Sequence, residues 1–382
     1  LVAAAISIER NTLERRRERI LAAGLPPLER AWMLLEDLRR FGTPAFAHLA
    51  RAGFVAVSLL RSFARAGILG AEGDAPFMAS LETTSSTLQR DAHAVHVGTK
   101  TWADFVAEYG HLRPGTYEIT SPCYASAPES FLQPIVASNH APLAIPQDPW
   151  SLQIRTQIAD ALRTIGLDDD LARFERFLRD AIEGRERSKF LFTRSLSAAL
   201  EALAEFGETE GVDRAAVAHV RIEDLWTLRT AQGEQTTEAL RRLSEEGERA
   251  FVLTQTVPLP AQVVSAEQLR CFERLAAMPS FVTNKVVRGP VVCLTANSSP
   301  DINVKDCIVV IPNADPGFDW LFGREIAGLV TMYGGSNSHM AIRAAEFELP
   351  ATIGIGELLF ETLVQAAVIE LDCASQIIRV VR

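Results

Sequence analysis

The stretch GGSNSHMAIRAAEFELPA, Gly334 to Ala351, holds the residues whose types and spacing point most directly to chemistry. It follows the β-branched run IAGLVT, so a strand, a glycine-bearing turn and a helix are predicted, with His339 in the first helical turn. Unpaired amide groups at a helix N-terminus stabilise anions, and a neutral imidazole is a nucleophile. The pattern therefore predicts a histidine that carries a phosphoryl group, with the Ser338 hydroxyl donating to one of its oxygens.

The same local pattern has a simpler interpretation. His339 is then a surface residue, Ser338 is an ordinary N-cap, and Gly334 and Gly335 only supply positive backbone φ angles. The local motif by itself leaves both interpretations open.

The elements that position this motif change character along the chain. Apolar residues recur at helical spacing from Leu1 to about Arg90, and helical patterns resume after a proline-bearing connection at 138–150. Short β-branched runs bounded by Gly, Pro and Asn follow. We therefore predict a multidomain α+β protein, with a helical, bundle-like region over 1–278 and a β-rich domain over 279–382 that contains one helix.

Composition excludes several functions. The net charge of −10 and the isoelectric point near 5.3 argue against nucleic-acid or anionic-membrane partners. The five cysteines show no pairing pattern, and we predict reduced thiols in a cytoplasmic protein without a membrane span. His93 and His96 are spaced to share a metal, but no third ligand is evident, so no metal site is predicted.

The motif around His339 resembles the phosphohistidine motif of the PEP-utilising (dikinase) families, which include phosphoenolpyruvate synthase and rifampin phosphotransferase. The upstream runs NKVVRGPVVCLT and DCIVVIPNADPGFDWLF are similar to the swivelling domain of those families, and the resemblance covers 281–382. It implies a β/β/α swivelling phosphohistidine domain in which His339 is the phosphocarrier. It also implies that Gly334, Gly335 and Ser338 support the phosphate.

The chain departs from the family pattern at three places. Ala345 stands where the family has arginine, Glu348 where it has glycine, and Asp372-Cys373 replaces an Asp-Gly turn. Without the family arginine, Arg343 is the remaining candidate to support the phosphate. Loss or weakening of activity is the alternative.

Two stretches of the helical region, 102–131 and 183–200, also resemble the central region of phosphoenolpyruvate synthase-like proteins. Arginine forks bind phosphate and histidine is a base for a hydroxyl, so these stretches supply a predicted acceptor-binding set. Its members are His111, Arg113, Tyr117, Arg185, Glu186 and Lys189. The alternatives are a surface pair for Glu186 and Lys189, and a structural role for His111 and Arg113 in fastening their loop to the bundle.

The resemblance further implies ATP and Mg²⁺ as cofactors, bound on an ATP-grasp domain upstream of Leu1 or supplied in trans. The predicted function is an ATP-dependent phosphotransferase in which phosphohistidine passes phosphate to a small-molecule acceptor. The alternative is a degenerate binding or regulatory module that carries no phosphate. A phosphotransfer-system component is disfavoured, because those proteins place the histidine domain ahead of a barrel.

Overall fold

The computed structural model describes residues 12–70, 73–137, 148–167, 169–230, 234–256, 263, 265–270, 277–336 and 338–381. Internal contacts divide the chain into two compact units. The first comprises 1–100 with 140–199, and the second comprises 101–139 with 200–382. This division does not follow the predicted boundary at 278, because 101–139 groups with the C-terminal half; the predicted domain limits stay a prediction.

The first unit is helical. Its helices are α1 (Glu14–Ala22), α2 (Pro27–Asp37), α3 (Thr43–Arg65), α4 (Ala75–Ala79), α5 (Thr84–His96), α9 (Leu152–Thr164) and α10 (Leu171–Thr209), whose last residues belong to the second unit. A π-helical turn, Leu38–Gly42, joins α2 to α3. The hydroxyls of Thr83 and Ser151 accept from the third residue beyond them, which caps α5 and α9.

The core of this unit forms where the apolar stripes of these helices meet. Phe77 and Trp150 stack with ring centroids 4.8 Å apart, beside Leu60, Ile158 and Leu178, which are all fully buried. Each such side chain contributes about 1.5–3 kcal/mol when it leaves water. The predicted helical bundle is confirmed here, including the long amphipathic helix α10.

One helical run, 27–65, has the length and hydropathy of a membrane-crossing segment. Core helices and signal sequences share those properties, so this run alone does not decide where the protein resides.

The second unit joins further helices to a seven-stranded sheet. The helices are α6 (Trp102–Tyr109), α7 (Pro128–Phe131), α8 (Gln133–Ala137), α11 (Arg214–Val217), α12 (Ile222–Thr227), α13 (Glu234–Gln255), α14 (His339–Glu346) and α15 (Glu357–Val364). The strands are β1 (Ser280–Val282), β2 (Val286–Cys293), β3 (Ile308–Asn313), β4 (Gly328–Tyr333), β5 (Ala351–Ile353), β6 (Val368–Asp372) and β7 (Ile377–Val381). Short 3₁₀ segments lie at Tyr124–Ser126, Leu228–Thr230, Ala266–Leu269 and Pro316–Gly323.

The sheet has the order β1-β5-β4-β3-β2-β6-β7. The four central strands, β5, β4, β3 and β2, are parallel neighbours, and the outer pairs are antiparallel. Residues 308–311 and 328–331 are buried at every position, so both faces of β3 and β4 are covered. This explains why these strands read as continuous β-branched runs without polar alternation.

The predicted helical region followed by a β/β/α domain is confirmed, with two corrections. The sequence predicted one helix in the domain, but α15 is a second, and its Leu363 fills the core around Val310 and Val330. The short strand β5 was also missed because only three residues pair. Most of the predicted connection at 138–150 lies outside the described residues.

Glu348, which stands where the family pattern has glycine, adopts a strained backbone conformation. Glu348 adopts φ +49°, a left-handed conformation that glycine takes without penalty, and the family has glycine there. Lys285 Nζ donates to the Glu348 carbonyl at 3.0 Å and to its carboxylate at 2.8 Å. An exposed ion pair of this kind offsets little of the backbone strain.

We expect Glu348→Gly to raise the melting temperature by about 2–4 °C, because it removes the left-handed strain. Glu348→Ala is the matched control, since it removes the same ion pair but keeps the Cβ. Thermal unfolding by circular dichroism checks the order, and equal melting temperatures for the two variants would contradict this explanation.

Candidate active site

The site is built where β4 turns into α14. The strand ends at Tyr333, Gly334 follows with φ +134°, and α14 begins at His339. The Ser338 hydroxyl oxygen accepts from the Ala341 amide at 3.3 Å and caps the helix. The predicted strand, glycine turn and helix are confirmed, and His339 occupies the first helical turn.

The two glycines of the turn, Gly334 and Gly335, differ in how much space surrounds a Cβ at their positions. A Cβ on Gly334 would lie 2.7 Å from the Ala314 Cβ and 2.9 Å from Ile353 Cγ2. A Cβ on Gly335 would meet no described atom within 4 Å. Gly334 is therefore required by the fold, whereas Gly335 leaves the backbone before the helix open to an incoming group.

His339 is held through its ring by a buried carboxylate. Its Nε2 lies 2.7 Å from Asp319 Oδ1, and its side chain is 20% exposed while that of Asp319 is 4% exposed. An ionised carboxylate only accepts hydrogen bonds, so Nε2 carries the proton and donates it. When the ring is neutral, its lone pair is on Nδ1. Among the residues that the structure describes, no recorded hydrogen bond uses this atom.

Arg343 keeps this carboxylate ionised. One turn beyond His339 on the same helix face, its Nε donates to the same Asp319 oxygen at 3.2 Å. Burial by itself would raise the pKa of Asp319, but the charge of Arg343, the attraction of His339 and their hydrogen bonds outweigh it and lower the pKa to about 2. The acceptor for His339 is thus negatively charged at neutral pH.

The contacts of Arg343 differ from the predicted ones. Its side chain is 1% exposed, donates to Glu346 at 3.0 Å and lies over the rings of Phe322 and Phe347. A guanidinium enclosed in this way positions Asp319 and does not face an anion from solvent. The phosphate-supporting role predicted for Arg343 stays a prediction.

The segment that carries Asp319 is itself clamped by residues 113–134 of the same unit. Thr116 Oγ1 donates to Asp315 at 2.7 Å, and the buried Tyr124 hydroxyl donates to the Gly317 carbonyl at 2.7 Å. A Cβ on Gly317 would lie 1.7 Å from the Arg113 carbonyl oxygen, so only glycine permits this approach. Asp319 consequently sits on a rigid 3₁₀ segment, Pro316–Gly323.

Three of the predicted acceptor-binding residues, His111, Arg113 and Tyr117, lie within or just before residues 113–134. His111 Nδ1 lies 3.1 Å from the Glu108 carbonyl, and the buried Arg113 donates to the Ser121 carbonyl at 3.1 Å and to Glu201 at 2.9 Å. These contacts agree with the alternative that they fasten the loop. Tyr117 is 66% exposed and remains open to a ligand; partial burial and the charge of Asp315 raise the pKa of its hydroxyl.

The other three lie on α10 in the first unit. The Arg185 guanidinium stacks 5.1 Å over the Phe54 ring, and the Glu186 carboxylate accepts from the Thr84 amide at the start of α5. Lys189 is half-buried one turn further. The six predicted residues thus divide between the two units, and their convergence on one acceptor stays a prediction.

The described residues form no evident site for the Mg²⁺ that the resemblance implies. Among the residues that the structure describes, no group of three or more His, Cys, Asp or Glu side chains is arranged to hold a metal ion. The absence of a metal site at His93 and His96 on α5 stays a prediction.

Asp319 is the functional residue that the sequence analysis missed. It lies 20 residues before His339, inside the aromatic run GFDWLF, and no spacing rule links it to the histidine motif. The one available signal was a charged residue within an otherwise apolar segment, which requires a partner once that segment is buried.

The sheet with its parallel central strands therefore presents a carboxylate-bound histidine at a helix N-terminus. Residues 303–376 match the family model described as "PEP-utilising enzyme, mobile domain". This C-terminal part of the chain is thus similar to the mobile domain of PEP-utilising enzymes. No curated protein matches the chain.

We expect Gly334→Ala to destabilise the protein by about 2 kcal/mol or more, since its Cβ would clash with two side chains in a left-handed backbone. Gly335→Ala is the matched control and should change the free energy of unfolding by less than about 0.5 kcal/mol. Urea unfolding measures both, and equal effects would contradict the division of roles between the glycines.

We expect Asp319→Asn to cost about 3 kcal/mol at pH 7, because it removes the buried one of the two carboxylates that pair with Arg343. The folded-state pKa of Asp319 is depressed below 3.8, so this stabilisation is complete above about pH 4 and is lost as the pH falls toward 2. Urea unfolding between pH 7 and 2 measures whether the stability difference between the unaltered protein and Asp319→Asn shrinks as the pH falls.

The control is Asp169→Asn, which removes an exposed partner of Arg163 and should change stability little at any of these pH values. A penalty for Asp319→Asn that stays constant down to pH 2 would show that the ionised carboxylate is not what stabilises the site.

Proposed function

We propose that this protein is a phosphotransferase in which His339 carries a phosphoryl group between a donor and an acceptor. One observation carries the proposal: the His339 ring lies in the first turn of α14, with Nε2 2.7 Å from the ionised carboxylate of Asp319. A nucleophile fixed in this way meets the first requirement of covalent catalysis.

The residues around His339 suit both halves of such a cycle. In the first half, a ring nitrogen attacks the donor phosphorus and the donor oxygen leaves with the bonding electrons. The open backbone at Gly335 and the helix dipole at the first turn of α14 favour the negative charge that the ring then carries. In the second half, the acceptor oxygen displaces the ring, and the same dipole stabilises the group until it departs.

The donor and acceptor follow from the resemblance to phosphoenolpyruvate synthase and rifampin phosphotransferase. We propose ATP, with Mg²⁺, as the donor, bound on a nucleotide-binding domain in the same polypeptide or in trans. The acceptor is a small molecule with a carbonyl or hydroxyl group, and the exposed Tyr117 is the member of the predicted set best placed to contact it.

A second candidate function is a binding or regulatory module that keeps the fold without the chemistry. Two observations favour it: Ala345 is exposed where the family has arginine, and Arg343 is enclosed by aromatic rings. Neither residue offers a cation to a phosphoryl group on His339. The mass measurement below separates the two functions.

We expect the full-length polypeptide to gain the mass of one phosphoryl group after incubation with Mg-ATP, and to lose it after mild acid because a phosphorus–nitrogen bond is acid-labile. The gain should disappear in His339→Ala and persist in His219→Ala, which changes another histidine of the same unit. A parallel incubation with phosphoenolpyruvate identifies the donor.

A folded protein that gains no phosphate from either compound would favour the binding module. A gain that survives in His339→Ala would remove His339 from the carrier role.

A further inference from the structure

We propose that the outer face of helix α3 binds the surface of an anionic lipid bilayer. We call this surface the α3 face. Its members are three exposed arginines and three apolar side chains: Arg51, Arg61, Arg65, Phe54, Val55 and Leu59. All six belong to the first unit, so the proposal is independent of the chemistry at His339.

Apolar side chains of the α3 face remain in contact with water. Phe54 is 61% exposed and Val55 is 52% exposed. Together with Leu59 they line a shallow depression of about 280 Å³. Contiguous exposed apolar side chains mark surfaces that bind another molecule or a membrane.

The hydropathy of this helical run indicates a membrane surface. The run 27–65 contains a stretch apolar enough to cross a bilayer, and that stretch falls within α3 and the turn before it. Only 28% of the stretch is buried inside the protein, whereas a core helix would be mostly buried. Because arginines lie among the exposed apolar side chains, the helix is suited to lie along the interface instead of crossing the bilayer.

The charge of the α3 face is entirely positive. None of the 23 residues of α3 is acidic. Among the residues that the structure describes, no carboxylate is recorded within ion-pair distance of Arg51, Arg61 or Arg65. Other exposed arginines of the same unit, such as Arg39 and Arg163, do pair with carboxylates. The cations of the α3 face are therefore available to an external anion.

A fourth cation reaches this surface from α10. The guanidinium of the exposed Arg185 lies 5.1 Å from the centroid of the Phe54 ring, and no ion pair is recorded for it within the described part of the chain. The nearby carboxylates of Glu183 and Glu186 accept from backbone amides at or just before the start of α5. Long arginine side chains cover apolar surface while their charged ends meet headgroups.

The acidity of the whole chain does not oppose this interaction. The first unit has 22 Lys and Arg against 19 Asp and Glu, a net charge of +3, whereas the second has 16 against 29, a net charge of −13. The composition that argued against an anionic membrane thus averages two units of opposite sign. Charges act over about 8 Å at physiological salt, so a local basic surface decides the attraction.

A bilayer fits the α3 face better than a protein partner does. The Ser62 hydroxyl donates to the Ser58 carbonyl at 2.8 Å, and Arg65 Nε donates to the Arg61 carbonyl at 3.3 Å. Few directional groups are left to specify a protein surface by hydrogen bonds. Binding to a bilayer requires only apolar area at the headgroup boundary and basic side chains near lipid phosphates.

The test is sedimentation of the full-length polypeptide with lipid vesicles. One set contains phosphatidylcholine alone, and the other contains equal parts of phosphatidylcholine and phosphatidylglycerol. We expect binding to the anionic vesicles to be tighter by about tenfold or more, and to weaken when the salt rises from about 0.15 M to about 1 M.

The charge variant combines Arg51→Gln, Arg61→Gln and Arg65→Gln. Each arginine near an anionic surface contributes about fivefold in affinity, so the triple variant should bind on the order of 100-fold more weakly. The matched control removes the same charge from exposed arginines of α1 and α9 and should change the affinity by less than about threefold. Its substitutions are Arg15→Gln, Arg19→Gln and Arg163→Gln. Circular dichroism verifies that both triple variants are folded.

The apolar contact is tested at Phe54. We expect Phe54→Ser to weaken binding to anionic vesicles by about tenfold, because it removes exposed aromatic area from the interface. Phe54→Trp keeps an aromatic ring beneath Arg185 and reports insertion. Its fluorescence, after subtraction of the unaltered protein, should shift to shorter wavelength on anionic vesicles and be quenched by brominated lipid.

Three results would overturn the proposal. The first is an unaltered protein that does not bind anionic vesicles, which would assign the α3 face to a protein contact. The second is an equal loss of binding in the two triple variants. The third is binding that needs the arginines but is unchanged in Phe54→Ser and gives no quenching in Phe54→Trp, which would identify a soluble polyanion as the ligand.

Discussion

The ionised carboxylate of Asp319 is the constraint on which the site depends. A charge buried to this degree is stable only when donors surround it, and here the donors are Arg343 and the ring of His339. One carboxylate therefore sets the packing of α14 through Arg343 and the chemistry of the site through His339. The spacing of four residues between these partners places both on the same helix face.

The carboxylate needs support from the other side as well. The segment Pro316–Gly323 is held by Thr116 and Tyr124, and its glycine at 317 lets the backbone of Arg113 approach closely. The rings of Phe131 and Trp320 meet edge to face with centroids 5.9 Å apart in the same region. Residues far from His339 in the sequence thus determine the orientation of its ring.

These contacts also change how the helical stretch 101–139 is understood. The sequence resemblance suggested that His111 and Arg113 bind an acceptor, but both engage backbone carbonyls, and Arg113 also engages Glu201. These contacts hold the loop together and tie it to α10. Tyr117, on the same loop, has an exposed side chain.

Local features of the fold were predictable where the physical signal is local. Apolar runs bounded by Gly, Pro and Asn predicted β3 and β4. The strand–turn–helix around His339 followed from its glycines and Ser338. The three-residue strand β5 and the helix α15 were missed, because the first depends on pairing with β4 and the second follows a glycine without a side-chain cap.

The site was predictable only in part for a related reason. His339 stands within a dense motif, whereas its partner lies 20 residues away in an aromatic segment, and only the folded chain brings the two together. Glu348 shows a local signal that the sequence did contain. It stands where the family pattern has glycine, and its backbone has a positive φ angle. Sequence patterns report local geometry well, and charge pairing across elements poorly.

The central claim is that Asp319 holds the proton of His339 on Nε2 and leaves Nδ1 unprotonated. The most direct measurement is ¹⁵N NMR of the imidazole ring in histidine-labelled protein, at a pH where the ring is neutral, with His339→Ala used to assign the signals. The account predicts a protonated Nε2 and a bare Nδ1 for His339, and loss of that preference when Asp319→Asn is combined with Arg343→Met. A protonated Nδ1 in the unaltered protein would contradict it.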